Sequence, residues 1–249
     1  MKSVVLIPAR MESNRFPGKP LAQILGKPMI QYVFDAAEAS EASDSFVVTD
    51  SQEIMDAVES FGGAAILTSD QPQNGTERCL EALEIIDPQG SIYDVVINVQ
   101  GDEPLIQSSD INALLALFQE DEVDIATLIK AIDKEEDYLN PHIVKAVPTL
   151  FEDEYCDISY FSRSPIPYMK NFKEGYAFQH IGVYAFTSTA LEEIRGLESS
   201  PLEDVEGLEQ LRWLQNHLLI SGSITETTLI GVDNPEDISA VENILTSKS

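Results

Sequence analysis

Five short apolar, β-branched runs, Ser3–Ile7, Ser45–Thr49, Ala64–Thr68, Tyr93–Val99 and Asp124–Ile129, constrain this chain more than any other feature. Runs of this kind read as buried strands. Between the first four lie segments with apolar residues at helical spacing, over 28–40, 51–61 and 76–86, and another over 108–119 precedes the fifth. Strand alternating with helix at this pitch predicts a mostly parallel central sheet with helices on both faces. The second half is less regular. Residues 142–186 hold β-like pieces at Ile143–Val147, Cys156–Phe161 and Gly182–Phe186 with little helix, a β-rich excursion over about 133–186. Ser200-Pro201-Leu202-Glu203 then has the form of a capping box with proline at the first helical position. The chain closes on an expected strand, Thr228–Val232, and a helix opened by Asn234-Pro235-Glu236-Asp237. With no long linker, internal repeat or low-complexity tract, one domain over 1–249 is the expectation.

Charge excludes several functions. The chain has net charge −28, from 15 Lys+Arg against 43 Asp+Glu. Such a surface repels nucleic acid and anionic membranes, so neither is expected as a partner. No apolar run approaches the roughly 18–20 residues that span a bilayer. Met1-Lys2 leads straight into a strand, so no secretory signal is expected. Two cysteines, Cys79 and Cys156, lack metal-ligand spacing and read as reduced structural thiols, which predicts a cytoplasmic location.

Against that background residues 1–27 carry five cations (Lys2, Arg10, Arg15, Lys19, Lys27) and one acid, Glu12. In an open α/β sheet the ligand crevice lies outside the carboxyl ends of the strands. The loop Pro8–Lys27, which follows the first strand, is therefore predicted to sit there. It is neither a G-x-x-x-x-G-K-[ST] loop nor G-x-G-x-x-G, which argues against an ordinary NTPase or dinucleotide site. Arg10 and Arg15 offer forked donors to phosphate oxygens, Lys19 a mobile point charge, and Pro17-Gly18 shapes the turn between them. Read alone, the loop also fits a solvated turn whose cations pair with surplus carboxylates.

Two acids fall at comparable places, Asp102 after the run from Asp94 to Val99 and Asp233 after Leu229–Val232. Both are predicted to face the same crevice. Acids beside a polyphosphate make sense with Mg²⁺ between them, since that ion takes one or two protein carboxylates plus phosphate oxygens and water. Each acid also fits a plain turn or helix cap. Asn74-Gly75-Thr76-Glu77-Arg78 is a further loop-to-helix transition, whose amides and Arg78 suit a base, ribose or phosphate. It equally fits a simple cap with an exposed, charged first turn.

Taken together, IPARMESNRFPGKPL, NGTER, VINVQGDEPLI, FSRSPIPY, QHIGVYAF, SPLEDVEGLEQLR and GVDNPEDI resemble the cytidylyltransferases that activate 3-deoxy-D-manno-octulosonate (Kdo). The pieces run in order from residue 7 to residue 238. The opening motif and LEQLR are the more specific, whereas QGDEP reads as a general nucleotidyltransferase turn. The resemblance implies a Rossmann-like α/β fold of the nucleotide-sugar transferase type and a homodimer formed partly through the β-rich excursion. It implies the reaction CTP + Kdo → CMP-Kdo + pyrophosphate with Mg²⁺, feeding lipopolysaccharide assembly. Arg10, Arg15 and Lys19 would hold the CTP phosphates, with Pro8 and Ala9 beside the cytosine. Asn74, Gly75, Arg78 and Gln100 would complete the nucleotide site. Asp102 and Asp233 match the metal-binding aspartates, and Arg163, His180, Tyr184, Glu209 and Gln210 the sugar-binding positions. Arg10, Lys19 and Asp102 are the expected catalytic residues.

The sugar positions also have plainer readings. His180 opens an apolar strand and suits a satisfied core histidine, Tyr184 suits the core, and Glu209 and Gln210 lie on a capped helix where one or both would be solvated. Two departures matter. Asn74 stands where the family usually has serine or threonine. Gln179 stands where a basic residue commonly precedes the histidine, which leaves the 8-amino analogue of Kdo open as substrate. A sialic-type acid sugar and a non-catalytic nucleotide-binding module are the remaining alternatives.

Overall fold

Ser3–Ala9 forms strand β1, every residue of it buried. A strand covered on both faces reads as a continuous apolar run, as this one does. The computed structural model describes residues 1–13, 15–119, 123–152 and 155–247, with backbone alone over 150–152. The chain folds as two compact units, residues 1–112 with 227–249, and residues 113–226. The second unit extends beyond the expected β-rich stretch on either side.

In the first unit, a loop after β1 ends in a two-residue-turn ribbon, β2 (Gln23–Ile24) and β3 (Lys27–Pro28). Helix α1 (Met29–Glu38) follows and buries Met29, Ile30, Val33, Phe34 and Ala37, one face at helical spacing. Strand β4 (Asp44–Thr49), helix α2 (Gln52–Ser60), strand β5 (Ala65–Leu67), helix α3 (Gly75–Ile86) and strand β6 (Val95–Asn98) continue the alternation. Strands β1, β4, β5 and β6 are parallel, in the order β5-β4-β1-β6. The chain moves outward from β1 to β5, then returns through α3 to place β6 on the other side of β1. That reversal makes a topological switch point, where a crevice opens at the carboxyl ends of β1 and β6. Helix α4 (Ser108–Leu117) comes next.

In the second unit the order is β10-β7-β11-β9-β8, with β8 also pairing to the first residues of β10. These are β7 (Ile125–Ala131), β8 (Lys145–Glu152), β9 (Tyr155–Ser162), β10 (Phe178–Thr187) and β11 (Ile220–Ile224). Only β7 and β11 are parallel among these pairs. The helices are α5 (Glu135–Leu139), α6 (Ser188–Arg195), α7 (Pro201–Glu206) and α8 (Gln210–Gln215). Ser200 caps α7 in the expected capping box. Gly207, at φ 63°, stops α7 in the left-handed conformation. The capped helix expected to carry Glu209 and Gln210 is therefore two short ones, and Glu209 is the N-cap position of the second.

Helix α9 (Asp237–Ser247) returns to the first unit. The segment before it differs from expectation. Residues 228–232 are not a strand, although the Val232 amide donates to the Asp102 carbonyl at 3.0 Å. Apolar packing holds the segment instead: Val232 and Val241 are buried with Ile24, Met29 and Leu105, and Phe16, Leu229 and Ile230 pack on that cluster. Burial of these side chains brings a segment about 220 residues downstream against the loop after β1. No helix among the described residues is long and apolar enough to cross a membrane.

Candidate active site

A cavity of about 330 Å³ opens at the switch point of the first unit. Pro8, Ala9, Arg10, Arg15, Lys19, Asn74, Gly75, Arg78, Gln100, Asp102 and Asp233 all line it, so every residue expected on the nucleotide side is brought together. Its floor is the β1 carboxyl end and the turn after β6, joined where the Gly101 amide donates to the Pro8 carbonyl at 3.3 Å. A Cβ at Gly101 would lie 2.9 Å from that same carbonyl oxygen, so only glycine allows this approach.

The cations and acids meet across the cavity. Lys19 Nζ donates to Asp102 Oδ2 at 2.5 Å and lies 3.9 Å from Asp233 Oδ1, with its side chain 14% exposed. Arg15 Nη2 donates to Asp233 Oδ1 at 2.7 Å. The cations of the loop thus pair with carboxylates, and those carboxylates are Asp102 and Asp233. Arg10 stands exposed on the lining. The Asp237 carboxylate accepts from the Asp233 and Asn234 amides at 2.9 and 2.8 Å, fixing the turn that carries Asp233.

Two expected contacts are otherwise engaged. Asn74 caps α3 by accepting from the Glu77 amide at 2.8 Å. Arg78 is buried, donating to Asp50 at 2.7 Å, to Thr68 Oγ1 at 2.5 Å and to the Ser69 carbonyl at 3.1 Å. It shapes the wall by locking the ends of β4 and β5, and its forked donors are committed to that task. Gln100 Nε2 donates to the buried Asn98 Oδ1 at 3.0 Å, which fixes the amide over the floor.

Behind Asp102 lies a group that the sequence reading passed over. Glu103 is half-buried, with its Oε2 enclosed and lacking a hydrogen-bond partner. Burial, and then the neighbouring Asp102 charge, push its pKa up to about 8. Enclosure behind Asp102 thus disfavours the charged form of this carboxyl.

The second unit gathers most of the expected sugar positions. Between the register pairs Ile181–Leu128 and Tyr184–Thr127, Gly182 and Val183 form an irregularity in β10. Bulges of this kind re-aim side chains. Thr127 Oγ1 donates to the Val183 carbonyl at 2.8 Å and faces His180 Nε2 at 3.1 Å. Its one proton being used, it accepts from the imidazole, which places the histidine proton on Nε2 and leaves Nδ1 facing Gln210 Nε2 at 3.5 Å. Phe161 and Tyr184 flank the ring at 4.8 and 5.3 Å, and Trp213 meets Tyr184 edge-on at 4.9 Å. Burial, and then the Glu209 charge, raise the Tyr184 pKa well above its usual value. Glu209 itself accepts from Arg212 at 2.9 Å. Arg163 stands apart from this ring cluster on backbone carbonyls, with Nε donating to Glu206 O at 2.8 Å.

Burial lowers the His180 pKa from 6.5 to about 3. The unfolded chain therefore binds this proton near pH 6.5, and the folded chain only near pH 3. Between those values the unfolded state holds more protons, so stability falls as pH drops, by up to ~1.4 kcal/mol per unit. Thermal melts at pH 7, 5 and 4 should show a smaller acid-side loss in His180→Gln than in the parent. Equal losses would mean that His180 is not held neutral in the fold.

A cavity at a parallel-sheet switch point, with a cationic loop on one side and paired acids on the other, defines a nucleotidyltransferase. The family model described as cytidylyltransferase matches residues 4–224. A protein from Thermodesulfovibrio yellowstonii named 3-deoxy-manno-octulosonate cytidylyltransferase is 43% identical, with all of both chains covered. One of the same name from Parabacteroides distasonis is 42% identical over 96% of each chain. A solved structure of CMP:2-keto-3-deoxy-manno-octonic acid synthetase complexed with CTP superposes with TM-score 0.91 at 36% identity over the whole of both chains. Apo UDP-glucose pyrophosphorylase, at 15% identity and TM-score 0.72 over 100% of this chain and 99% of that one, shares the fold. This chain belongs to the 3-deoxy-manno-octulosonate cytidylyltransferase family.

Proposed function

We propose that this enzyme transfers CMP from CTP to the anomeric 2-hydroxyl of Kdo, releasing pyrophosphate, as a cytoplasmic homodimer serving lipopolysaccharide assembly. The observation that carries the reading is the meeting of Lys19 and Arg15 with Asp102 and Asp233 in one cavity. Exposed Tyr168, Tyr176 and Leu139 in the second unit support a subunit contact there.

The hydroxyl oxygen attacks the α-phosphorus, the bond to the β-phosphate oxygen breaks, and the hydroxyl proton is released. Such transfers depend on positioning and charge stabilisation more than on covalent catalysis by side chains. Incoming triphosphate competes with Asp102 and Asp233 for Lys19 and Arg15. The cations would then face the phosphates, leaving the two carboxylates as the residues that would hold a metal ion. Among the described residues no cluster of three metal-ligating side chains exists. Two acids reached by one ammonium nevertheless fit Mg²⁺, which fills its shell with phosphate oxygens and water. Bound there, Mg²⁺ would acidify the attacking hydroxyl and neutralise phosphate charge. Lys19, Arg15 and Arg10 would stabilise charge that builds on the departing pyrophosphate. Pro8, Ala9 and Gln100 would receive the cytosine, and His180, Tyr184, Glu209, Gln210 and Arg163 the acid sugar.

Pyrophosphate release should be fastest with CTP and Kdo in the presence of Mg²⁺, in a matrix of four nucleotides against Kdo, 8-amino-Kdo and N-acetylneuraminate. Faster release with the 8-amino sugar would reassign the substrate, consistent with Gln179. No release with any sugar would support a binding module instead.

A further inference from the structure

Lys145, at the start of β8, has no exposed surface. A fully buried lysine is rare and costly to desolvate, so the use of its charge needs an explanation. The ammonium has three donors and all three are engaged with carbonyls: Ile143 at 2.6 Å, and Asn140 and Arg163 at 2.8 Å. The register sets it between Ser162 of β9 and Gln179 of β10. It thereby fastens the turn over residues 140–143 to the corner at the end of β9.

The other face of that corner is held by an acid. Glu206, the last residue of α7, accepts from Ser162 Oγ at 2.6 Å and from the Arg163 amide at 2.9 Å. The amide of Arg163 is thus fixed by a carboxylate and its carbonyl by an ammonium. Its guanidinium donates to the carbonyls of Glu206 at 2.8 Å, Pro141 at 3.3 Å and Gly207 at 3.4 Å. Carbonyl partners orient a guanidinium without neutralising it. Lys145, Arg163 and Glu206 together carry net positive charge, in a chain whose total is −28. Lys145 titrates lower than usual through burial, as its enclosed position implies.

We propose that Lys145 and Glu206 are positioning residues that clasp the Arg163 backbone, so that its guanidinium is held ready for the carboxylate of the acid sugar. This rests on the reading of Arg163 as a sugar-binding residue. The test measures pyrophosphate release with CTP and Kdo varied separately, in Lys145→Met, Glu206→Gln and Arg163→Lys. Lys145→Met keeps the aliphatic stem and removes the donors. Glu206→Gln keeps the size and removes the charge. Each should raise KM for Kdo about tenfold or more, with kcat and KM for CTP within about twofold, because a displaced binding group weakens its own ligand. A merely structural role would lower the active fraction, and with it kcat, without moving KM for Kdo. That result in both clasp variants, while Arg163→Lys raises KM for Kdo, would overturn the proposal. An unchanged KM for Kdo in Arg163→Lys would overturn the reading of Arg163 instead. If Lys145→Met does not fold, Glu206→Gln decides alone.

Discussion

Asp102→Ala should lower kcat for pyrophosphate release by about three orders of magnitude or more, with the fold intact. The fold is spared because the contact that ties this turn to residue 232 uses the Asp102 carbonyl, which alanine keeps. The chemistry is not spared. The carboxylate is the closer of two acids on Lys19, at 2.5 Å against 3.9 Å for Asp233. Its loss removes a proposed metal ligand and also frees the largely covered Lys19 side chain to settle on Asp233 or on phosphate in an unproductive pose. Steady-state kinetics beside a thermal melt separate the two outcomes. A folded Asp102→Ala protein with near-parental turnover would remove Asp102 from the mechanism.

Lys19→Ala should lower kcat by roughly two to three orders of magnitude while KM for CTP changes only a few-fold. This ammonium is paired with Asp102, so its net gain on binding ground-state CTP is small. The gain grows as negative charge accumulates on the leaving pyrophosphate beside the ammonium. Interactions stronger in the transition state than in the ground state show in kcat rather than in KM. A Lys19→Ala enzyme with raised KM for CTP and unchanged kcat would make Lys19 a ground-state ligand.

How much of this was legible from residues differs between the two units. The alternation that yields β1, β4, β5 and β6 is written in β-branched runs, and the structure realises each within a few residues. The cationic loop and Asp102 were legible because strand ends are readable and the crevice of a parallel sheet lies there. Asp233 was located for a partly wrong reason. Its segment was read as a strand, whereas burial of Val232 against Ile24 and Met29 places it. Strand β11, Ile-Ser-Gly-Ser-Ile, lacks the apolar pattern, and its place is set by pairing with β7 on one side and β9 on the other. The break between α7 and α8 turns on one residue, Gly207, whose left-handed φ no periodicity reveals.

Side-chain roles were harder to read than their positions. Arg78 lines the expected cavity, yet its guanidinium is claimed by Asp50 and Thr68, which are distant in sequence and gave no signal. His180 is the satisfied buried histidine that the sequence allowed, and it packs with Tyr184 and faces Gln210. Lys145 lies inside the expected β-like piece Ile143–Val147, and nothing in the sequence singles it out. Only the convergence of three carbonyls, one of them from Arg163, shows its task.

The most direct test is a crystal structure of this protein with CTP and Mn²⁺, reading the manganese anomalous signal. The signal is expected at the carboxylates of Asp102 and Asp233, with the triphosphate against Arg10, Arg15 and Lys19. A metal peak away from both acids, or a triphosphate bound clear of the loop after β1, would contradict it.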